Sequence, residues 1–335
     1  VREDIGIDLD RLREQAQRSL AAHWLIEGTD PFGEMCRYAL LPGGKLFRPL
    51  LLIDSCLLVR PQSEPVLPAA AGIEYAHVAS LVHDDIIDGD STRRGRDAVH
   101  ARYGRDHALL VGDALIFQTF GALAACRHQG AAAEAVVRAV ELYAAAGVDM
   151  CRGEALEARV SGALSCPADR YLEVARLKTA ALFRCATECG AVLGGGTPEQ
   201  VRALRQYGER LGVLFQIADD LLPYLSRPER TGKPATSDFR NRRVTLPLLH
   251  AYAEGGEQVR ARIERAFTLN HDDPGELAAH QDGLEAIRAT GAVEAAQRTA
   301  AEQGQAALDL LAGFPESESR RRLTMCVRWG LERQE

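Results

Sequence analysis

Apolar residues along this chain recur mostly at helical spacing, and single glycines and prolines punctuate them. No proline falls between Pro68 and Pro167, and that stretch is rich in Ala, Leu and Val, a composition that favours long helices. No run shows two-residue alternation rich in β-branched residues, so strands are expected to be absent or trivial. The pattern predicts helices over 8–27, 31–41, 45–60, 66–88, 106–127, 130–162, 168–194, 198–222, 244–254, 256–269, 275–290, 292–313 and 316–331. Breakers separate them at Pro42-Gly43-Gly44, Pro61, Gly89, Gly194-Gly195-Gly196 and Pro228. Thr197-Pro198-Glu199-Gln200 reads as a helix start, with Thr as N-cap, Pro in the first turn and Gln three residues on. Two polar, arginine-rich loops, 89–99 and 226–243, each follow an Asp-rich helix end. No composition shift, repeat or low-complexity linker divides the chain, so one all-α domain over 1–335 is expected.

Composition narrows the function. The 335 residues are 46% hydrophobic and 26% charged, an ordinary globular balance with material for a sizeable core. A net charge of −7 argues against a general nucleic-acid binder. The eight cysteines form no CxxC pair and are expected to be buried free thiols in a reducing cytosol. The N-terminal VREDIGIDLDRL is charged and amphipathic, unlike a secretory signal. No apolar run is expected to span a bilayer, so the chain reads as soluble and cytoplasmic, with membrane contact left open for a greasy product.

The candidate chemistry lies at the helix ends. Asp84 and Asp88 stand four residues apart on one face, with Asp85 beside them, just before Gly89. Like charges at that spacing repel, and the negative end of the helix dipole disfavours them further. Carboxylate oxygens with no cysteine nearby suit Mg²⁺ or Mn²⁺, and Mg²⁺ commonly completes its shell with water and substrate phosphate oxygens. A solvated acidic helix end explains this first cluster equally well by itself. A second apolar helix ends in Asp219 and Asp220, and two such ends could clamp one polyanion through shared metal ions. Arg93 and Arg94 follow the first cluster, and Lys233, Arg240, Arg242 and Arg243 follow the second, a set suited to phosphate oxygens. Gly43 and Gly44 precede Lys45 and Arg48, which would project from one face of a helix start.

The ordered motifs GGKxxRP (43–49), HDDIID…RRG (83–95), KT (178–179), FQxADD (215–220) and GK…D…TLP (232–247) resemble the all-trans polyprenyl diphosphate synthases. These are isoprenyl diphosphate synthases of the farnesyl and geranylgeranyl type. The resemblance runs from about residue 30 to 250. It implies an all-α bundle around a central cavity, usually a homodimer, and Mg²⁺-dependent elongation of an allylic diphosphate by isopentenyl diphosphate. It implies three Mg²⁺ ions per site, with Mn²⁺ as a possible substitute. By the same resemblance Asp84, Asp88 and Asp219 hold metal, supported by Asp85 and Asp220. Arg93, Lys178 and Lys233 hold the allylic diphosphate. Lys45, Arg48, His77 and Arg94 bind isopentenyl diphosphate, Arg243 stands where the family has a substrate-binding lysine, and Thr179 and Gln216 sit beside the developing cation. Lone histidines in apolar helices are more often structural, but His77 lies about two turns before Asp84 on the same face. His83 matches no role and is read as structural.

Residues one turn before the first aspartate should meet the growing tail. Ala79 and Ser80 are small, as is Ala76, and Tyr75 is the nearest bulky residue for a floor. This favours a product of twenty carbons or more. The chain also departs from the family pattern. Pro223 replaces the last aspartate of the second motif and should kink or end its helix. Ser237, Arg243 and Gly153-Glu154 replace a usual Gly, Lys and Gly-Gln. Two alternatives therefore accompany chain elongation: a terpene cyclase or prenyltransferase with another acceptor, and a non-catalytic partner subunit. Beyond about residue 255 no motif carries chemistry, and Ser319-Arg320-Arg321-Arg322 reads as a solvated face.

Overall fold

The computed structural model describes residues 2–22, 30–40, 46–225, 237–269 and 273–332, with side chains from residue 10 onward except at 237. Pro42, Gly43, Gly44, Lys45, Pro228 and Lys233 lie outside the described residues. The chain is all-α. Its helices are α1 (Arg2–Ala22), α2 (Pro31–Leu40), α3 (Phe47–Leu57), α4 (Leu67–Asp88), α5 (Val99–Tyr103), α6 (Arg105–Ala125), α7 (Ala133–Val160) and α8 (Ala168–Val174). They continue as α9 (Ala181–Leu193), α10 (Pro198–Leu225), α11 (Ser237–Arg240), α12 (Leu246–Glu254), α13 (Glu257–Thr268), α14 (Glu276–Arg288), α15 (Ala292–Leu311) and α16 (Glu318–Glu332). The predicted cap at α10 is present: the Gln200 N–H donates to Thr197 Oγ1 at 3.3 Å, and the Thr197 N–H to Gln200 Oε1 at 2.9 Å.

Three differences from the sequence pattern matter for function. The first polar loop contains a hairpin, β1 (Thr92–Arg93) paired antiparallel with β2 (Arg96–Asp97). Its two central residues, Arg94 and Gly95, both have positive φ, 52° and 75°, as the tightest primed hairpin turn requires. The predicted helix 168–194 is interrupted by a π-helical turn, Ala175–Ala180, which contains Lys178 and Thr179. Finally, α10 continues through Pro223 to Leu225. Pro223 cannot donate to the Asp219 carbonyl, but near a helix end this costs one bond. Arg288 then caps the last turn, its Nη2 donating to the Pro223 carbonyl at 2.8 Å and its Nε to that of Tyr224 at 3.0 Å.

The described chain falls into two compact units, neither continuous in sequence. One comprises residues 1–145, 185–205 and 314–323, and the other 146–184, 206–313 and 324–335. The first is built on the α4–α6 contact. Gly72 lets the helices approach closely, because a Cβ there would lie 3.3 Å from the Thr119 carbonyl oxygen. Thr119 Oγ1 in turn donates to the Gly72 carbonyl at 3.2 Å. One end of α4 is tied to α1 by Ser19 Oγ donating to the Leu67 carbonyl at 2.7 Å and Tyr75 Oη to that of Leu20 at 2.5 Å. Near the other end His83 packs on Gly112, where a Cβ would collide with the imidazole, so His83 is a packing residue as expected. These contacts fix the axis of α4 and so the aspartates at its end.

Two expectations are corrected in this unit. By length and composition the segment Arg105–Gln129 is long and apolar enough to cross a membrane. One side of α6 packs on α4 through Ala108, Val111, Leu115 and Ala122, while Leu110 and Phe117 are 55% and 71% exposed. The expected solvated face at 319–322 is overturned at Ser319 and Arg322, which are buried, while Arg321 is exposed. Arg322 is 6% exposed and Asp54 of α3 only 2%, and Arg322 Nε and Nη2 donate to Asp54 Oδ1 at 2.9 and 2.7 Å. Of the eight free cysteines five are buried, but Cys151 is exposed.

In the second unit the π-helical turn is held by two glycines. A Cβ on Gly153 of α7 would lie 2.4 Å from the Lys178 backbone nitrogen, and one on Gly212 of α10 would lie 2.5 Å from the Ala180 Cα. Phe183, Phe215 and Trp329 form an aromatic run beside it, with centroids 5.2 and 5.3 Å apart.

The Asp54–Arg322 pair yields a stability prediction. Arg322→Leu leaves a buried carboxylate without its cation and should cost about 3–5 kcal/mol by chemical denaturation, with much of the loss recovered in Asp54→Leu/Arg322→Leu. A loss under about 1 kcal/mol would place the pair in water.

Candidate active site

In the first unit the three aspartates of α4 do not share one environment. Asp84 and Asp88 are half-buried on the face that also carries Ala76, His77 and Ser80, whereas Asp85 turns inward and is 2% exposed. Asp85 receives Arg93: Nε donates to both carboxylate oxygens at 2.8 Å, and Nη2 to Oδ1 at 2.5 Å. This forked contact crosses from the helix to the hairpin and fixes the guanidinium plane. The next residue, Arg94, is held at positive φ by the hairpin turn, a conformation that L-residues with a Cβ adopt at a cost.

Arg48, in the first turn of α3, lies with its Nη1 3.2 Å from His77 Nε2. Burial lowers the His77 pKa well below 6.5, and the Arg48, Arg94 and Arg93 guanidiniums lower it further. His77 is therefore neutral, with Nε2 accepting from Arg48, so it orients the arginine rather than supplying a charge of its own. Glu74, one turn earlier on α4, is buried. Burial raises its pKa, opposed by Arg48 and Arg94. The sequence reading missed Glu74, although a charged residue inside the apolar run GIEYAHVASLV was a usable signal.

The four residues proposed to meet a product tail divide between two faces. Ala76 and Ser80 are half-buried on the aspartate face, and Ser80 Oγ donates to the His77 carbonyl at 2.8 Å. Ala79 and Tyr75 belong instead to the apolar cluster with Val78, Val82 and Leu115.

In the second unit Asp219 is exposed at the end of α10 and Asp220 is more deeply placed. Asp220 accepts from Tyr171 Oη at 2.6 Å and from Gln216 Nε2 at 2.9 Å. Gln216 Oε1 accepts from Thr179 Oγ1 at 2.5 Å. A single hydrogen-bonded chain thus links the π-helical turn, α10 and α8. Burial and the nearby Asp238 raise the Asp220 pKa to about 8. Lys178 Nζ lies 2.6 Å from Glu154 Oε2 and 2.5 Å from Glu157 Oε2. Burial works against its charge, but Glu157 and Glu154 raise its pKa above the ordinary lysine range. Arg243 follows Arg242, which has positive φ, and the Arg243 N–H donates to the Asp238 carbonyl at 2.8 Å. Sequence reasoning missed Glu157, which shares a helix face with Glu154, and Tyr171, which carried no signal.

Among the described residues no three His, Cys, Asp or Glu side chains converge as a ready-made metal cage. Each unit does present carboxylate oxygen at a helix end. That donor set fits Mg²⁺, which is bound through one or two carboxylates while water and phosphate oxygens fill the remaining positions.

The family model described as polyprenyl synthetase matches residues 29–282. The chain is 35% identical over 292 residues to a short chain isoprenyl diphosphate synthase of Methanothermobacter thermautotrophicus, covering 87% of each chain. Its structure is similar to that of a geranylgeranyl pyrophosphate synthetase from Pyrococcus horikoshii Ot3, with a TM-score of 0.89, 28% identity and 98% of each chain covered. It is also similar to a polyprenyl synthase from Caulobacter crescentus CB15 complexed with calcium and isoprenyl diphosphate. There the TM-score is 0.87 at 31% identity, covering 99% of this chain and 98% of that one.

Two outcomes test this geometry. The unfolded chain takes up a proton at residue 77 near pH 6.5 and the folded chain does not, so His77 costs stability as pH falls below that value. Stability should decline more steeply toward low pH in the parent than in His77→Gln, which keeps an acceptor for Arg48; equal slopes would place His77 in water. Arg94→Gly should relieve backbone strain and leave the melting temperature equal or higher, while anion binding weakens. A lower melting temperature would show that the arginine is structural.

Proposed function

The chain belongs to the polyprenyl synthetase family, and we propose that it is a prenyltransferase that condenses isopentenyl diphosphate with an allylic diphosphate, using Mg²⁺, to make a trans-polyprenyl diphosphate of about C20 or longer. The observation that carries this reading is the sorting of charge on α4. Asp84 and Asp88 stay at the accessible helix face, while Asp85 is spent on anchoring Arg93. Such an arrangement presents carboxylate and guanidinium together, which is what a metal-bound diphosphate needs.

Diphosphate leaves an allylic carbon readily only when its growing charge is neutralised, and groups that bind the departing anion more tightly than the ester lower the barrier selectively. Asp84, Asp88 and Asp219 would hold Mg²⁺, which when bound neutralises diphosphate oxygen and assists its departure. Arg93 and Lys178 bind the allylic diphosphate. Arg48, steadied by His77, and Arg94 bind isopentenyl diphosphate. Arg243 serves as a further anion contact. Thr179 and Gln216 present oxygen beside the nascent allylic cation, in a pocket that must exclude water. The double bond of isopentenyl diphosphate then attacks, a proton is lost, and the chain grows by one C5 unit. No protein base is needed if the released diphosphate takes that proton. Lys45 and Lys233 would complement these groups from their positions in the matching motifs. Ser80 and Ala76, both small and both on the aspartate face, leave room for a tail, whereas Ala79 and Tyr75 are packed in the apolar cluster behind it.

The working form is a homodimer in the cytoplasm. The outer side of α6, with Leu109, Leu110, Ile116, Phe117 and Phe120 exposed, supplies an apolar face suited to a second copy.

Purified protein with Mg²⁺, labelled isopentenyl diphosphate and allylic primers of increasing length should yield a ladder of labelled diphosphates. Allylic substrate consumed without label uptake would point to a cyclase, and no turnover to a partner subunit. Asp84→Ala should lower turnover by at least about 10²-fold, the scale of losing a key electrostatic group. Ser80→Phe should shorten the longest product; unchanged length would remove Ser80 from the tail path.

A further inference from the structure

Lys178 lies on the π-helical turn, and it is enclosed by acid. Gly153 allows α7 to approach the backbone of this turn so closely that no side chain would fit. The same approach places Glu154 and Glu157, three residues apart on α7, on the Lys178 ammonium at 2.6 and 2.5 Å. An ammonium has three donors, and two are taken. The trio carries one net negative charge at the lysine that the proposed function gives to the allylic diphosphate. The three side chains are only 22%, 25% and 30% exposed, so solvent screens them less than it would a surface pair.

We propose that Glu154 and Glu157 are positioning residues that hold Lys178 in place and set a deliberately weak grip on the allylic diphosphate. This rests on the prenyltransferase reading. Two effects oppose each other. The carboxylates fix Nζ on one line, which favours a well-placed third donor. They also repel the incoming diphosphate, which weakens its ground-state binding. In an elongation reaction each product is itself an allylic diphosphate, so a weak grip speeds exchange of product for substrate.

Glu→Gln substitution separates the two effects, because the amide oxygen still accepts from Nζ while the negative charge is gone. Glu157→Gln should lower the KM for the allylic diphosphate by about tenfold, the Coulomb effect of one charge at a partly screened site, with the KM for isopentenyl diphosphate unchanged. Glu154→Gln should act in the same direction. Glu157→Leu removes the charge and the hold together, so its gain should be clearly smaller. Calorimetric titration with inorganic diphosphate and Mg²⁺ should give the same order of affinities, and it reads the clamp even if the parent protein fails to elongate a prenyl chain. An unchanged allylic KM and diphosphate affinity in both Gln variants would overturn the proposal. So would equal shifts for both substrates, or a gain in Glu157→Leu as large as in Glu157→Gln. Failure of the parent protein to elongate, with the titration order intact, would overturn the prenyltransferase reading and leave the clamp standing.

Discussion

Charge at the end of an apolar helix has to be paired, and the structure depends on how each such charge is met. Asp85 is buried because the forked guanidinium of Arg93 reaches it. Asp54 is buried because Arg322 reaches it from α16. Asp220 is covered by donors from Tyr171 and Gln216, and Lys178 by two carboxylates. Removing one member of such a pair costs far more than the pair itself contributes, because desolvation of the remaining charge is no longer compensated. Pairing inside each unit thus leaves Asp84, Asp88 and Asp219 toward the accessible face and holds Arg93 and Lys178 in fixed orientations, and the proposed chemistry uses both sets.

Backbone contacts set the same groups in place from below. Gly72 brings α4 onto α6, and Gly153 and Gly212 grip the π-helical turn from two helices. Such turns often occur at functional sites, and here one carries both Lys178 and Thr179. Among the described residues the non-glycine positions with positive φ are Leu46, Arg94 and Arg242. Each lies within a motif or beside one of its basic residues: Leu46 precedes Arg48, Arg94 belongs to the hairpin, and Arg242 precedes Arg243. Strain of this kind persists where surrounding structure imposes it, and its clustering beside anion-binding residues matches a site built for function rather than stability.

Much of this was legible in the sequence, for physical reasons that can be named. The i, i+4 spacing of Asp84 and Asp88 put them on one face, and the Thr197–Gln200 cap followed from local chemistry alone. Family resemblance supplied roles that spacing could not. What stayed hidden depends on partners distant in sequence. Nothing near Arg322 indicates Asp54, and nothing near Asp220 indicates Tyr171. An end to the helix at Pro223 was one expectation; instead the helix runs on to Leu225, and Arg288 takes up the Pro223 and Tyr224 carbonyls. The hairpin at 92–97 was missed because two-residue strands leave no alternation to read. The apolar length of α6 was underestimated because scattered polar residues disguise it.

The central claim is that the accessible carboxylates bind metal together with a diphosphate. The most direct test is calorimetric titration of inorganic diphosphate into the parent protein and into Asp84→Asn, with and without Mg²⁺. The account predicts tight diphosphate binding only when Mg²⁺ is present, and its loss in Asp84→Asn while the protein stays folded. Equal binding without Mg²⁺, or undiminished Mg²⁺-dependent binding in Asp84→Asn, would contradict it.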